Sequence, residues 1–292
     1  MDIELYKITQ KFDLELKEKG EALLKKDLSK VENYDKYKEE YTSFVEQVND
    51  LGKSNLAKYI IHRKVILDLL EVNLQRRNDD KYPLEESVHG IIFPLKTTSD
   101  TIDYEKQNLW VIDEKLSYHY FLASDLPFNQ LDVVNVEGLD RPDLFIYNKP
   151  LAFVGDNHPY SSFVIIEFKR PGRKQYDDDK DPIAQVFNYI KKIRQGNQLD
   201  RNGRPINIHE GTPFYGYIIC DITPKVRDFA ENANLIQTPD GEGYFGYNKN
   251  RGAYIEVISY DKLLLDAQKR NKVLFDKLFT SGINNKMILN CM

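Results

Sequence analysis

A Glu-x-Lys string inside an otherwise apolar β-run constrains this chain more than any other feature. The segment Phe163-Val164-Ile165-Ile166-Glu167-Phe168-Lys169 is dense in β-formers, and successive side chains of a strand point to opposite faces. Glu167 and Lys169 therefore share one face while Phe168 takes the other. A second apolar run, Arg141-Pro142-Asp143-Leu144-Phe145-Ile146, opens with an aspartate at the strand mouth. Two carboxylates and one ammonium are thereby set among apolar neighbours, where uncompensated charge is costly. Such groups must pair, bind a metal or do chemistry. The alternative that stays open is structural: a buried Glu-Lys ion pair next to an Asp at a strand start.

Neither string is specific alone. Glu15-Leu16-Lys17 repeats Glu-x-Lys among charged neighbours and reads as a solvated helix face, and Pro239-Asp240 reads as a turn. The segment after Lys169 adds information. A basic loop, Arg170-Pro171-Gly172-Arg173-Lys174, leads through the acidic run Asp177 to Asp179 into Asp181-Pro182-Ile183-Ala184-Gln185-Val186-Phe187-Asn188-Tyr189-Ile190. The acidic run reads as a solvated loop. Asp at the N-cap and Pro at the first helical position announce a helix, on which Gln185 and Tyr189, four residues apart, share a face.

In this order, strand Asp, strand Glu-x-Lys and helix Gln-x-x-x-Tyr resemble the PD-(D/E)XK nuclease superfamily in its RecB-like branch. The resemblance implies an α/β fold, a central mixed β-sheet flanked by helices with a restriction-endonuclease-like core. It implies catalytic roles for Asp143, Glu167 and Lys169, and Mg²⁺ or Mn²⁺ held by Asp143, Glu167 and the Phe168 carbonyl. Members of this branch commonly add a histidine from an upstream helix, which here matches His89. His89 follows Glu86 by three residues and Glu85 by four; a core-edge histidine is the competing reading. DNA would be held by Gln185 and Tyr189, with Lys192, Arg170 and Arg173 on phosphates.

The expected activity is a metal-dependent deoxyribonuclease that hydrolyses phosphodiester bonds, and a non-cleaving docking module with the same fold is the alternative. A wider set, Leu109-Trp110-Val111-Ile112-Asp113-Glu114, Arg141-Pro142-Asp143, Ile166-Glu167-Phe168-Lys169-Arg170-Pro171 and Tyr217-Ile218-Ile219-Cys220-Asp221-Ile222-Thr223-Pro224-Lys225, looks like nuclease domains at the C-terminus of bacterial proteins with an Hsp90-type ATPase module. That likeness implies defence against foreign DNA and an ATPase module or partner. The resemblance covers about residues 84 to 220.

The chain has 292 residues and 41 basic against 46 acidic side chains, so no global field draws it to nucleic acid, and phosphate binding requires a local patch. The stretch from Lys169 to Arg204 is the candidate. Two cysteines, Cys220 and Cys291, make neither a disulfide framework nor a zinc set. No apolar run reaches the roughly 18 residues of a membrane span, and the N-terminus lacks a signal-peptide core. A cytoplasmic protein with no membrane contact is expected.

Residues 1–82 read as a helical arm, and residues 83–292 as the nuclease-like domain. The stripe Tyr34, Tyr37, Tyr41, Phe44, Val48 and Leu51 marks one helix of the arm, and a second spans about 55 to 76. Such a stripe reads first as an intramolecular helix seam, and a homo-oligomer contact or a docking face on a larger assembly is the alternative. Strands are expected near 109–113, 144–147, 163–168 and 213–222, with a hairpin of 243–248 and 253–259. Helices are expected near 115–123, 185–194, 224–231 and 263–279. Gly241-Glu242-Gly243-Tyr244-Phe245-Gly246 fits G-x-G-x-x-G. Aromatic β-formers follow it and no helix is signalled, so it reads as part of the hairpin.

Overall fold

The computed structural model describes residues 34–75, 84–131, 140–149, 161–173, 175–177, 180–195, 198–199, 205–206, 208 and 211–280, with 11, 14–15, 17–22 and 25 ahead of them. The chain divides into two compact units, residues 1–64 with 274–292 and residues 65–273. Pro83, the expected boundary, lies outside the described residues.

The first unit contains most of α1, Tyr34–Leu74. The two expected arm helices are one. Gly52 disfavours helix by only about 1 kcal/mol, and no proline interrupts the segment. Tyr41 and Val48 of the arm stripe are exposed, so the stripe is not buried along its whole length.

The second unit is built on an eight-stranded mixed sheet. Its strands are β1 (Thr97–Thr98), β2 (Phe121–Ser124), β3 (Leu144–Asn148), β4 (Ser162–Phe168), β5 (Phe214–Ile219), β6 (Ile236–Gln237), β7 (Gly243–Asn248) and β8 (Ala253–Ile258). The spatial order is β1-β2-β3-β4-β5-β8-β7-β6. Only β4–β5 and β5–β8 are parallel pairs; the rest are antiparallel. Among the described residues of this unit the further helices are α2 (Glu85–Ile92), α3 (Pro182–Gln195), α4 (Pro224–Asn232) and α5 (Tyr260–Phe275). Gln198–Leu199 and Pro205–Ile206 form a separate two-stranded ladder.

Strands β3 and β4 are buried on both faces, which is why they read as continuous apolar runs, whereas β5 and β8 alternate buried residues with exposed or half-buried ones along most of their length. On one face, Phe163 and Ile165 of β4, Phe214 and Ile218 of β5 and Ile255 and Val257 of β8 meet Ile183, Val186, Ile190 and Ile193 of α3. Val226, Phe229 and Ala230 of α4 join the same core. The helix starts follow their sequence signals. Asp181 Oδ1 accepts the Ile183 and Ala184 N–H groups at 2.7 and 3.1 Å, and Thr223 Oγ1 accepts the Val226 N–H. On the other face His89 of α2 stacks on Phe168. Near it, Arg270 of α5 ties down the carbonyls of Trp110, Val111 and Ile112.

Two expected elements are corrected. Residues 109–113 are not a strand: Leu109–Val111 is a 3₁₀ turn, closed by Val111 N–H to Asn108 O and Ile112 N–H to Leu109 O. A short, wholly buried apolar run looks the same in either form, because periodicity cannot separate them. Residues 115–123 are not a helix. Asp113 accepts the Lys115 N–H at 2.9 Å and caps a single 3₁₀ turn, Glu114–Ser117, after which the chain enters β2. The last helix begins three residues before its expected start and passes into a π turn at Asp276–Thr280. The G-x-G-x-x-G segment enters β7, and Ala253–Ile258 pairs with it as the expected hairpin.

Gly216 sets how closely α3 approaches the sheet. A Cβ there would lie 2.7 Å from both Val186 Cγ1 of α3 and Ile255 Cδ1. We expect Gly216→Ala to cost about 1–3 kcal/mol through overpacking, measured by urea unfolding. A loss below about 0.5 kcal/mol would show that α3 is free to shift outward.

Candidate active site

The register of β3 and β4 brings the expected charges together. Leu144 pairs with Ile166, so Asp143, one residue earlier, stands opposite Glu167. Asp143 Oδ2 accepts the Phe168 N–H at 2.7 Å, which locks the mouth of β3 to the end of β4. Glu167 and Lys169 are 4 % and 8 % exposed, and Lys169 Nζ lies 2.8 Å from Glu167 Oε1.

Gln185 reaches this pair from α3. Its Oε1 accepts from Lys169 Nζ at 3.1 Å, while its Nε2 donates to Glu167 Oε1 and to Tyr189 Oη, each at 2.7 Å. Tyr189 Oη in turn donates to the Arg141 carbonyl at 3.4 Å. Glu167 Oε1 therefore accepts two hydrogen bonds. Glu167 Oε2, equally buried, has no hydrogen-bond partner. The Asp143 N–H favours the charged carboxylate without forming a hydrogen bond to that oxygen.

The electrostatics are those of crowded carboxylates. Burial first, and then the neighbouring Glu167 charge, push the Asp143 carboxyl well above its ordinary range. Burial raises Glu167 as well, opposed by Lys169. A third acid takes part: Glu85, in the first turn of α2, accepts from the Arg170 N–H and is raised by burial against the pull of Lys169 and Arg173. One fixed ammonium thus faces three carboxyl groups, and an unpartnered buried carboxylate oxygen points to a missing cation or proton. Hard oxygen donors of this kind suit Mg²⁺ or Mn²⁺. Among the described residues no three His, Cys, Asp or Glu side chains are gathered closely enough to hold a metal ion by themselves.

His89 lies elsewhere. Its Nε2 pairs with Ser124 Oγ at 2.9 Å, and its ring stacks on Phe168 at 5.2 Å. Phe168 points away from Glu167, so His89 sits on the opposite sheet face from that carboxylate. Burial lowers its imidazole to about 4, which keeps it neutral at neutral pH. The core-edge reading of this histidine describes its position.

The expected substrate contacts divide. Gln185 belongs to the network. Tyr189 is 6 % exposed and packs edge-on against Phe128 at 5.7 Å, so it orients Gln185 and offers no open ring for stacking. Lys192 is ion-paired with Asp140. Arg170 is exposed, and Arg173 lies over the Tyr176 ring at 4.3 Å. Arg194 is structural, with Nη2 on the Thr212 carbonyl at 3.1 Å. Asp177 pairs with Lys180 at 2.5 Å, as a solvated loop would. Lys174, Arg201 and Arg204 lie outside the described residues.

Three supports were not assigned from sequence. Glu85 had a signal, its four-residue spacing from His89, but nothing in the string ranked it above the histidine. Tyr260 Oη donates to the Lys169 carbonyl at 2.5 Å across 91 positions, and Asp221 accepts the Gly172 N–H at 2.5 Å. Both pin the loop after Lys169, and neither long-range tie has a local signature.

No family model, curated protein or solved structure matches this chain. The functional reading rests on its own residues.

A carboxyl raised in the folded state binds protons more readily there than in the unfolded chain, so its charged form opposes folding at neutral pH and stability recovers as the pH falls. Asp143→Asn removes that charge and keeps an acceptor for the Phe168 N–H. Its melting temperature should exceed wild type at pH 7 to 8, with the gap closing as the pH approaches about 4. Lys169→Ala should lower the melting temperature at neutral pH, because it leaves buried carboxylates without their cation. Calorimetry from pH 4 to 8 tests both, and an Asp143→Asn variant less stable than wild type at every pH would contradict this electrostatic account.

Proposed function

We propose that this chain is a metal-dependent nuclease that hydrolyses DNA phosphodiester bonds. The observation that carries the reading is the buried cluster at the ends of β3 and β4: Asp143, Glu167 with one unpartnered oxygen, and Lys169 held by Glu167 and by Gln185 from α3. A mixed sheet flanked by helices, with this set at neighbouring strand ends, agrees with the PD-(D/E)XK resemblance of the sequence. Defence against foreign DNA is the biological setting this reading carries, with an ATPase module as its partner.

Asp143 and Glu167, with the Phe168 carbonyl and Glu85 close by, would hold Mg²⁺ or Mn²⁺, which when bound polarises the scissile phosphate and lowers the pKa of a coordinated water. The protein's own groups do the rest. Glu167 Oε2 carries no hydrogen bond that binding of the ion would have to break. Lys169 is kept at a fixed point by two acceptors, so its charge can offset negative charge developing on the phosphate without reorganisation. Gln185, oriented by Tyr189, keeps the Lys169 ammonium beside the Glu167 carboxylate. Arg170 and Arg173 extend from the following loop, where phosphates flanking the cut would lie.

The second reading, a non-cleaving module of the same fold, draws on the closed Lys169–Glu167–Gln185 network and the absence of a ready-made trio of ligands among the described residues.

Nicking of supercoiled plasmid separates the two readings. The full chain should convert it with Mg²⁺ or Mn²⁺ and be silenced by EDTA, while Asp143→Asn and Lys169→Ala should each lose about a hundredfold or more. Activity that survives EDTA, or an inert wild type with either metal, would sink the metal-dependent reading.

Gln185→Ala should also lower turnover while leaving Mn²⁺ affinity, read by calorimetry, near wild type. Unchanged turnover per folded molecule would remove Gln185 from the machinery.

A further inference from the structure

The sheet face opposite α3 carries a row of tyrosines that the proposed active site does not use. Tyr215 of β5 is in register with Tyr254 of β8, and Tyr254 with Tyr247 of β7. Residues paired across neighbouring strands share a face, so three phenol rings stand side by side on three hydrogen-bonded strands. Val164 of β4 is the next member of the row, paired with Tyr215, so the face is the one away from Glu167. Val164 is buried, yet Tyr215 and Tyr247 are 36 % and 67 % exposed. The Tyr215 and Tyr254 rings are 6.4 Å apart and tilted by 58°.

Three tyrosines aligned on one sheet face make a contiguous aromatic surface, and charge decides between its occupants here. The turn from β7 to β8 carries Lys249 and Arg251, both exposed; Arg251 lines the cleft beside α3 and α4 on the other side of the sheet, which leaves Lys249 to serve the tyrosine face. Along β8, on the side of the row away from the turn, Glu256 stands two residues beyond Tyr254 and close to Asp113. Phosphates are therefore favoured on the turn side of the row and disfavoured on the Glu256 side. Aromatic rings beside an exposed cation fit a chain that offers both unstacked bases and phosphates.

We propose that Tyr215, Tyr254 and Tyr247 form a stacking platform for single-stranded DNA, with Lys249 on its backbone. The choice of DNA rests on the nuclease reading. The choice of a single strand does not: base pairs in a duplex are stacked on one another and present no free face to a ring. The platform lies away from Glu167 and Lys169, so it retains the strand and takes no part in the chemistry.

The test uses the full chain in an Asp143→Asn background and a fluorescein-labelled oligothymidylate, read by anisotropy. Tyr247→Ala and Tyr215→Ala should each weaken binding by roughly tenfold, and Tyr247→Phe should restore it, since stacking needs the ring and not the hydroxyl. Lys249→Ala should reduce the salt dependence by a slope of about one, and Arg251→Ala, on the other side of the sheet, should leave it near wild type. Tyr247 is exposed enough for its variants to fold, and unfolding curves would verify this. An unchanged Kd for Tyr247→Ala and Tyr215→Ala overturns the proposal. So does loss of self-association in those variants, by sedimentation, with DNA affinity intact, because the face would then seat a second copy. If plasmid nicking fails in wild type while the tyrosine variants still lose oligonucleotide binding, the nuclease reading falls and the platform stands.

Discussion

Everything at the candidate site depends on one buried ion pair and the amide that bridges it. Lys169 and Glu167 are two residues apart on one strand, so β-alternation places both on the same face at no conformational cost. Burial would make either charge costly alone. Gln185 satisfies both at once, accepting from the ammonium and donating to the carboxylate, and Tyr189 consumes its remaining hydrogen. Glu167 Oε2 is what this arrangement leaves over. A fully satisfied network would be a structural lock; this one is short by one partner, on Glu167 Oε2.

The network demands that α3 lie close to the sheet and at one rotation about its axis. Gly216 provides the closeness, since any side chain there would meet Val186. Rotation follows from the apolar stripe Ile183, Val186, Ile190 and Ile193, which leaves Gln185 and Tyr189 on the flank toward Glu167. The strand ends are held with similar economy: Asp143 bonds the Phe168 N–H, Tyr260 bonds the Lys169 carbonyl, and Lys169 N–H bonds Ile219 O. Packing energy thus positions charges that oppose one another, a trade of stability for a prepared electrostatic site.

Two readings of one helix show where sequence reasoning reached its limit. Glu85, Glu86 and His89 lie within five residues, and helical spacing puts Glu85 and His89 on one side. Which of them meets Asp143 depends on where α2 sits against the end of β4. The helix sends its first turn beyond the strand end, so Glu85 reaches the Arg170 N–H, while His89 falls behind Phe168. A spacing argument carries no information on that offset. The same holds for residues 109–123, where apolar content was legible but the choice between strand and tight turn was made by Asp113 capping and by Arg270, some 160 positions away.

The sequence by itself determined the strands that bear Asp143 and Glu167, the shared face of Glu167 and Lys169, the start of α3 at Asp181-Pro182, and the pairing of Gln185 with Tyr189. Each follows from a period or a cap, which are properties of a few adjacent residues. Only the tertiary structure decided that Gln185 bridges the ion pair, that Tyr189 is closed to solvent, that Lys192 is matched by Asp140, and that three tyrosines from three strands align into one row. Those facts depend on strand order and register, which are set by contacts between segments dozens of residues apart, and no local period encodes them.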